Sequence, residues 1–228
     1  MEKPYEIQFE IAGPAAMFTR PDTGSTPISY PVPTASAAKG MVEAVLRRPH
    51  IYIQPTSVTI CKPIRFERYV TNYGGPLRKG KDIRGGNSYQ LMATILVDVC
   101  YRVRAEVRMK HMSTRGRGET QLRRRRGQDW RPLFKQLFDD RLERHQTYYT
   151  PCLGWKEFVP DYFGPFRRKD ENEQKVGSVL AGEIHIPSML ISMWEHGQYR
   201  PSFGERWIVD GVMSYEHGRP PKEERDAE

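Results

Sequence analysis

The strongest hydrophobic pattern along this chain is an alternating run from Thr94 to Met109. Ile95, Val97, Val99, Tyr101, Val103, Ala105 and Val107 recur two apart, the period at which a β-strand presents one face. A second alternating run, Tyr5 to Ile11, predicts the first strand. Ile51 to Ile64 predicts another, interrupted near Pro55 because proline cannot donate to a sheet ladder. Two segments carry helical spacing instead. Residues 35–47 follow Thr34, a good cap, and Pro33 and Pro49 bracket them. Residues 130–144 carry Leu133, Phe134, Leu137 and Phe138 as an apolar stripe. Asp129 stands at the N-cap there, and Pro132 falls in the first turn, where proline is tolerated. Cys152 to Val159 reads as a fourth strand. The order is then β-α-β-β-α-β, so the expected class is α+β with a ferredoxin-like or RRM core.

Beyond that core, Ile184, Ile186, Met189 and Ile191, followed by Trp207 to Val212, predict a small β-rich appendage over 161–215. Residues 216–228 are charged and contain proline, and are expected to form a disordered tail. The expected division is a core at 1–160, this appendage and the tail. No internal repeat is evident.

Composition narrows the partner. The 228 residues are 38% hydrophobic with mean hydropathy −0.70, polar for a folded chain but not disordered. The formal charge is +8 and the pI about 9.4, which favours a polyanion. Two segments hold that charge. Arg65, Arg68, Arg78, Lys79, Lys81 and Arg84 stand against Glu67 and Asp82 within 65–91. Arg108, Lys110, Arg115, Arg117 and Arg123 to Arg126 stand against Glu119 alone within 108–126. The remainder of the chain is slightly acidic. Insertions at 67–91 and 110–128 therefore carry the basicity, outside the predicted regular elements.

The first insertion contains Gly74-Gly75, Gly80 and Gly85-Gly86, and reads as a mobile hairpin or thumb with Tyr69, Tyr73 and Tyr89 among its cations. The second ends in Arg123-Arg124-Arg125-Arg126-Gly127. Cations to track phosphates beside rings to stack bases are the requirements of a single-stranded RNA groove. A solvated loop without a partner explains one such segment but explains two poorly.

Cys61, Cys100 and Cys152 are odd in number and far apart, so they read as small buried hydrophobes and not as a disulfide or zinc site. His50, His185, His196 and His217 have no spacing suited to a metal or a catalytic triad. Neither a cofactor nor a metal is expected. The N-terminus runs straight into a strand pattern, and no apolar run approaches the ~18 residues of a membrane span, so a cytoplasmic location without membrane contact is expected.

Several short stretches resemble the CRISPR-associated Cas5 family of subtype I-C. Ser29-Tyr30-Pro31-Val32-Pro33-Thr34, then Ala37, Lys39-Gly40, Glu43-Ala44 and a basic residue before Pro49, are the most specific. Gly13 with Met17-Phe18-Thr19-Arg20-Pro21, Lys62-Pro63-Ile64 and Pro151-Cys152-Leu153-Gly154-Trp155-Lys156-Glu157-Phe158 follow in the family's order. The resemblance implies a subunit of the RNA-guided Cascade complex. Such a subunit holds the 5′ handle of the guide RNA and joins backbone and large subunits, meeting target DNA only through the complex. RNA contacts are expected at Arg20, Tyr30, Lys39, Arg47, Arg65, Arg68, Tyr73, Arg78, Lys79, Arg123, Arg124, Arg125 and Arg126. Lys39 is the preferred phosphate contact. Tyr30 could stack a base or pack in the core.

Many family members also cut the precursor guide RNA without a metal. That chemistry needs a base for a 2′-hydroxyl, an acid for the leaving 5′-oxygen and cations for the phosphorane. The resemblance implies a Tyr late in the first helix and a Lys-His pair near the second. The aligned positions here are Leu46 and Gln128-Asp129, and leucine neither accepts nor donates a proton. Substitutes are His145, Tyr148, Tyr149 and Lys135. His145 suits a helix C-terminus, the tyrosines suit core or stacking roles, and His111 suits phosphate as well as chemistry. The expectation is a guide-RNA holder without catalytic residues. The alternatives are a metal-independent endoribonuclease, or an RRM-like RNA-binding protein outside any CRISPR system.

Overall fold

In the computed structural model the described residues are 5–73, 80, 84–85, 89–109, 129–167, 182–195, 198–216 and 218. The long strand β4, Tyr89–Met109, is the axis of the sheet. Strand β1, Tyr5–Ala16, pairs antiparallel along one edge of it, from Tyr5 opposite Val107 to Ala16 opposite Leu96. Two strands share its other edge. β2, Ile51–Ile60, lies opposite residues 101–109, and β3, Phe66–Tyr73, lies opposite 89–96. Asp98, with φ +52°, sits where β4 changes partner, and Lys62 and Arg65 of the β2–β3 connection hold its carboxylate.

β5 is Tyr162–Gly164, β6 Glu183–Glu195, β7 Gln198–Val209 and β8 Val212–Ser214. The sheet runs in the order β5-β1-β4-β2-β8-β7-β6, with β3 on β4, and every paired strand is antiparallel. The fold is mixed α/β and dominated by this antiparallel sheet. The segment expected as a C-terminal appendage is hydrogen-bonded into it, because β8 pairs with β2 at Ser57 to Thr59.

Helix α1, Ala35–Val45, begins where the sequence puts it: Thr34 Oγ1 accepts from the Ala37 amide at 3.2 Å. It buries Ala38, Met41, Val42, Ala44 and Val45. At ~1.5–3 kcal/mol for each large apolar side chain buried, this face is ample to hold so short a helix. Its end falls earlier than 47, since Leu46 is already extended, with φ −151°. Helix α2, Arg131–Glu143, buries Phe134, Phe138 and Leu142, spaced four apart, whereas Leu133 is exposed. Its N-cap is Trp130 and not Asp129. Asp129 lies one residue earlier and accepts from the Arg131 amide at 3.0 Å.

Two sequence expectations need correction. Cys152 to Val159 is no strand. Gly154, with φ +91°, turns the chain so that Leu153 is buried, and an alanine Cβ there would collide with the Met17 carbonyl. The apolar spacing that suggested a strand serves this turn, where Phe158 and Trp155 stack at 6.0 Å. The edge strand is β5 instead. Part of the 67–91 insertion is also regular, because β3 and the first residues of β4 form a hairpin. Cys61 and Cys100 are buried as expected, and Cys152 is half-buried. Among the described residues no helix is long and apolar enough to cross a membrane.

Candidate nucleic-acid interface

The expected RNA contacts divide into five groups. Arg78, Lys79 and Arg123 to Arg126 lie outside the described residues, as do Gln128 and His111. Tyr73 ends β3 opposite Tyr89 at the outer end of the β3–β4 hairpin. Arg20, Lys39 and Arg65 are exposed or half-exposed but already ion-paired. Arg20 makes a two-pronged contact with Asp22 at 2.8 and 3.1 Å. Lys39 Nζ lies 3.8 Å from Glu43 and 4.8 Å above the Tyr52 ring, so its partner is internal. Arg65 is paired with Asp98. Arg68 and Arg47 are exposed and have no ion pair among the described residues.

Tyr30 is the clear correction. Its ring is fully buried and its hydroxyl is used on both sides, donating to the Ser188 carbonyl and accepting from the Leu190 amide. A ring held this way packs and does not stack on a base. Leu46 is equally buried, facing the core at the end of α1. A side chain at this backbone position points away from solvent.

The structure gathers residues that sequence reasoning set aside. The chain returning from α2 runs back along α1, where the Tyr148 amide donates to the Ala44 carbonyl at 2.7 Å. Both Tyr148 and Tyr149 are exposed, contrary to a core role. Arg141 lies 4.3 Å over the Tyr148 ring and donates to the Val45 carbonyl at 3.0 Å. The Arg48 guanidinium, the largest cause, and the Arg141 charge hold the Tyr148 phenol below its ordinary pKa. The Tyr149 hydroxyl donates to the Gly40 carbonyl. Burial raises its pKa and Glu43 adds to that, with Arg47 acting the other way. Arg48 also borders a cleft of about 300 Å³ with His50 and Trp130, and Arg141 borders one of about 180 Å³ with His145 and Phe163. The Arg47-Arg48 pair was visible in sequence. Its meeting with Arg141 and Tyr148 was not, because these come from separate elements.

Further from α1, Glu10 is buried on β1 and holds Arg102 at 2.9 Å and Arg167 at 2.6 Å. Burial alone would raise its pKa, but the Arg102 and Arg167 hydrogen bonds outweigh that and leave it below the ordinary carboxylate range. The Cys100 thiol donates to the same carboxylate at 3.7 Å. This is an internal ion cluster that fastens β5 and the chain after it to β1. Among the described residues no group of three or more His, Cys, Asp or Glu could hold a metal.

Comparison with known proteins agrees with this architecture. The chain is 28% identical over 160 residues to the CRISPR pre-crRNA endoribonuclease Cas5d of Thermus thermophilus, covering 70% of this chain and 63% of that one. It is 26% identical to the protein of the same name from Mannheimia succiniciproducens, covering 94% of this chain and 88% of that one. The chain thus spans less than two thirds of the Thermus relative. The crystal structure of a CRISPR-associated protein shares the fold at a TM-score of 0.65 and 18% identity, over 93% of this chain and 92% of that one. The model of the CRISPR-associated protein (Cas_Cas5) family matches residues 6–203, and the chain belongs to that family.

Proposed function

We propose that this chain is a subunit of a type I CRISPR Cascade complex that binds and caps the 5′ handle of the guide RNA without cutting it. It joins the backbone and large subunits and works in the cytoplasm. Family membership and the relatives' named action on guide-RNA precursor support the RNA partner. The observation that carries the non-cutting reading is Leu46, an aliphatic side chain buried where cutting members place a tyrosine. The strand order β5-β1-β4-β2, with α1 between β1 and β2 and α2 between β4 and β5, supports a ferredoxin-like core. On that reading, β3 and β6 to β8 are additions to it, and the basic segments 67–91 and 110–128 face the RNA.

A specific observation favours the second reading, a metal-independent endoribonuclease. Tyr148 is an exposed phenol made more acidic by two guanidiniums. The sequence also carries a Lys-His dipeptide at Lys110-His111, directly after β4 and outside the described residues. The experiment that separates the readings is incubation of the purified protein with its repeat RNA in EDTA. Tight binding with intact RNA is expected. A discrete product, lost in Tyr148→Phe or His111→Ala, would establish the endoribonuclease and overturn the holder.

A further inference from the structure

The described cations are not distributed evenly with respect to carboxylates. Arg104 lies 3.8 Å from Glu6, Arg108 contacts both Glu106 and Glu216, and Arg131 is paired with Asp129. Around the exit of α1 the pattern reverses. Arg47, Arg48 and Arg141 have no carboxylate within ion-pair distance among the described residues. Arg141 instead contacts a carbonyl and the face of Tyr148, and the Arg48 charge acts on the Tyr148 hydroxyl.

The C-termini of α1 and α2 bring some negative potential here, and the Val45 carbonyl takes one Arg141 N–H. That accounts for one guanidinium, not for three whose charges all act on two exposed tyrosines. Glu43 also acts on Tyr149 but is paired with Lys39, and gathering like charges without an ion-paired carboxylate is unfavourable unless an anion arrives to neutralise them. The tyrosine rings add what a simple anion does not need. Tyr148 and Tyr149 are adjacent in sequence and anchored by the contacts with Ala44 and Gly40. Their exposed faces suit planar bases, while the guanidiniums suit the phosphates between them.

We propose that the surface formed by Arg47, Arg48, Arg141, Tyr148 and Tyr149 is a single-stranded RNA subsite, with phosphates on the arginines and bases on the two rings. This deepens the guide-RNA reading and rests on it. The subsite lies where α1 meets the chain leaving α2, apart from the hairpin of β3 and β4.

The test is fluorescence anisotropy with a short labelled single-stranded RNA and with the repeat RNA, over a range of salt. Arg48→Ala combined with Arg141→Gln is expected to weaken binding at least about tenfold and to reduce the salt slope by about 1.4, at ~0.7 per single-strand phosphate. Tyr148→Ala is expected to lose about five- to a hundredfold, whereas Tyr148→Phe, which keeps the ring, stays within about twofold. Arg48→Lys with Arg141→Lys restores most of the salt slope, and Arg104→Ala changes nothing. Thermal melts of each variant separate lost binding from lost fold. Wild-type binding with unchanged affinity and slope in the double variant overturns the subsite and leaves the guide-RNA reading intact. No RNA binding by wild type overturns both. If polyglutamate binds wild type and loses affinity in the double variant while RNA does not, the patch serves an acidic protein segment and the proposal fails.

Discussion

The Tyr30 hydroxyl accepts a hydrogen bond from the Leu190 amide at 3.1 Å, across 160 residues of sequence. The same oxygen donates to the Ser188 carbonyl at 2.8 Å, so the loop before α1 is pinned to β6 by one phenol. Tyr215 makes a parallel contact, donating to the Pro33 carbonyl at 2.8 Å. The most family-like stretch of the chain is thus held from behind by its last strands.

Tyr30→Phe leaves the Leu190 amide and the Ser188 carbonyl without this partner. It is expected to cost about 1–3 kcal/mol of stability, the usual penalty for an unpaired polar group. Urea unfolding measures the loss. RNA affinity, measured well below the unfolding midpoint, is expected to stay unchanged because the ring does not face solvent.

Glu10→Gln removes the charge shared by Arg102 and Arg167. Breaking a buried pair in this way is expected to cost about 3 kcal/mol at neutral pH. The folded carboxyl titrates below its unfolded value, so its contribution is complete above the unfolded pKa of about 4.3 and is lost as pH falls through the folded value. Wild type and variant should therefore converge in stability only as pH falls through that lowered folded value. A gap that persists in strong acid would count against the ion cluster as its source.

Leu46→Tyr restores the residue type that the family resemblance places at this helix end. The site is fully buried, so the larger side chain is expected to overpack the core by about 1–3 kcal/mol. Calorimetry would register a lower Tm, and no RNA cleavage is expected to appear in EDTA.

Replacing Arg123 to Arg126 by Ala tests the basic segment ahead of α2. If these side chains track phosphates, the salt slope of RNA binding falls by about 0.7 for each phosphate no longer neutralised. An unchanged slope would remove them from the groove.

Lysine and arginine counts could not separate free cations from committed ones. Lys39 stood out in sequence as a lone cation on an alanine-rich helix, but Glu43 lies one turn away and Tyr52 beneath it. Arg48 read in sequence only as a basic residue before Pro49, yet its charge acts on Tyr148, a hundred positions on. Whether a guanidinium can receive a phosphate depends on the carboxylates near it in space, which one-dimensional spacing does not report.

By itself, the sequence determined the elements whose signals are local. The alternation of β4, the Thr34 cap of α1 and the interruption of β2 near Pro55 each depend on neighbours within a few residues. It also determined the family, through short motifs in order. Tertiary structure decided what those motifs are for. Pro151 to Phe158 is a turn that buries Leu153 and Phe158, and not a strand, because its conformation depends on Gly154 approaching Met17. Tyr30 is a core fastener because β6 supplies its partners, and the patch around Tyr148 exists only because α1 and the end of α2 converge. Local patterns follow from backbone geometry and side-chain spacing. Pairing, burial and charge neutralisation follow from contacts between distant segments, and only the fold brings those together.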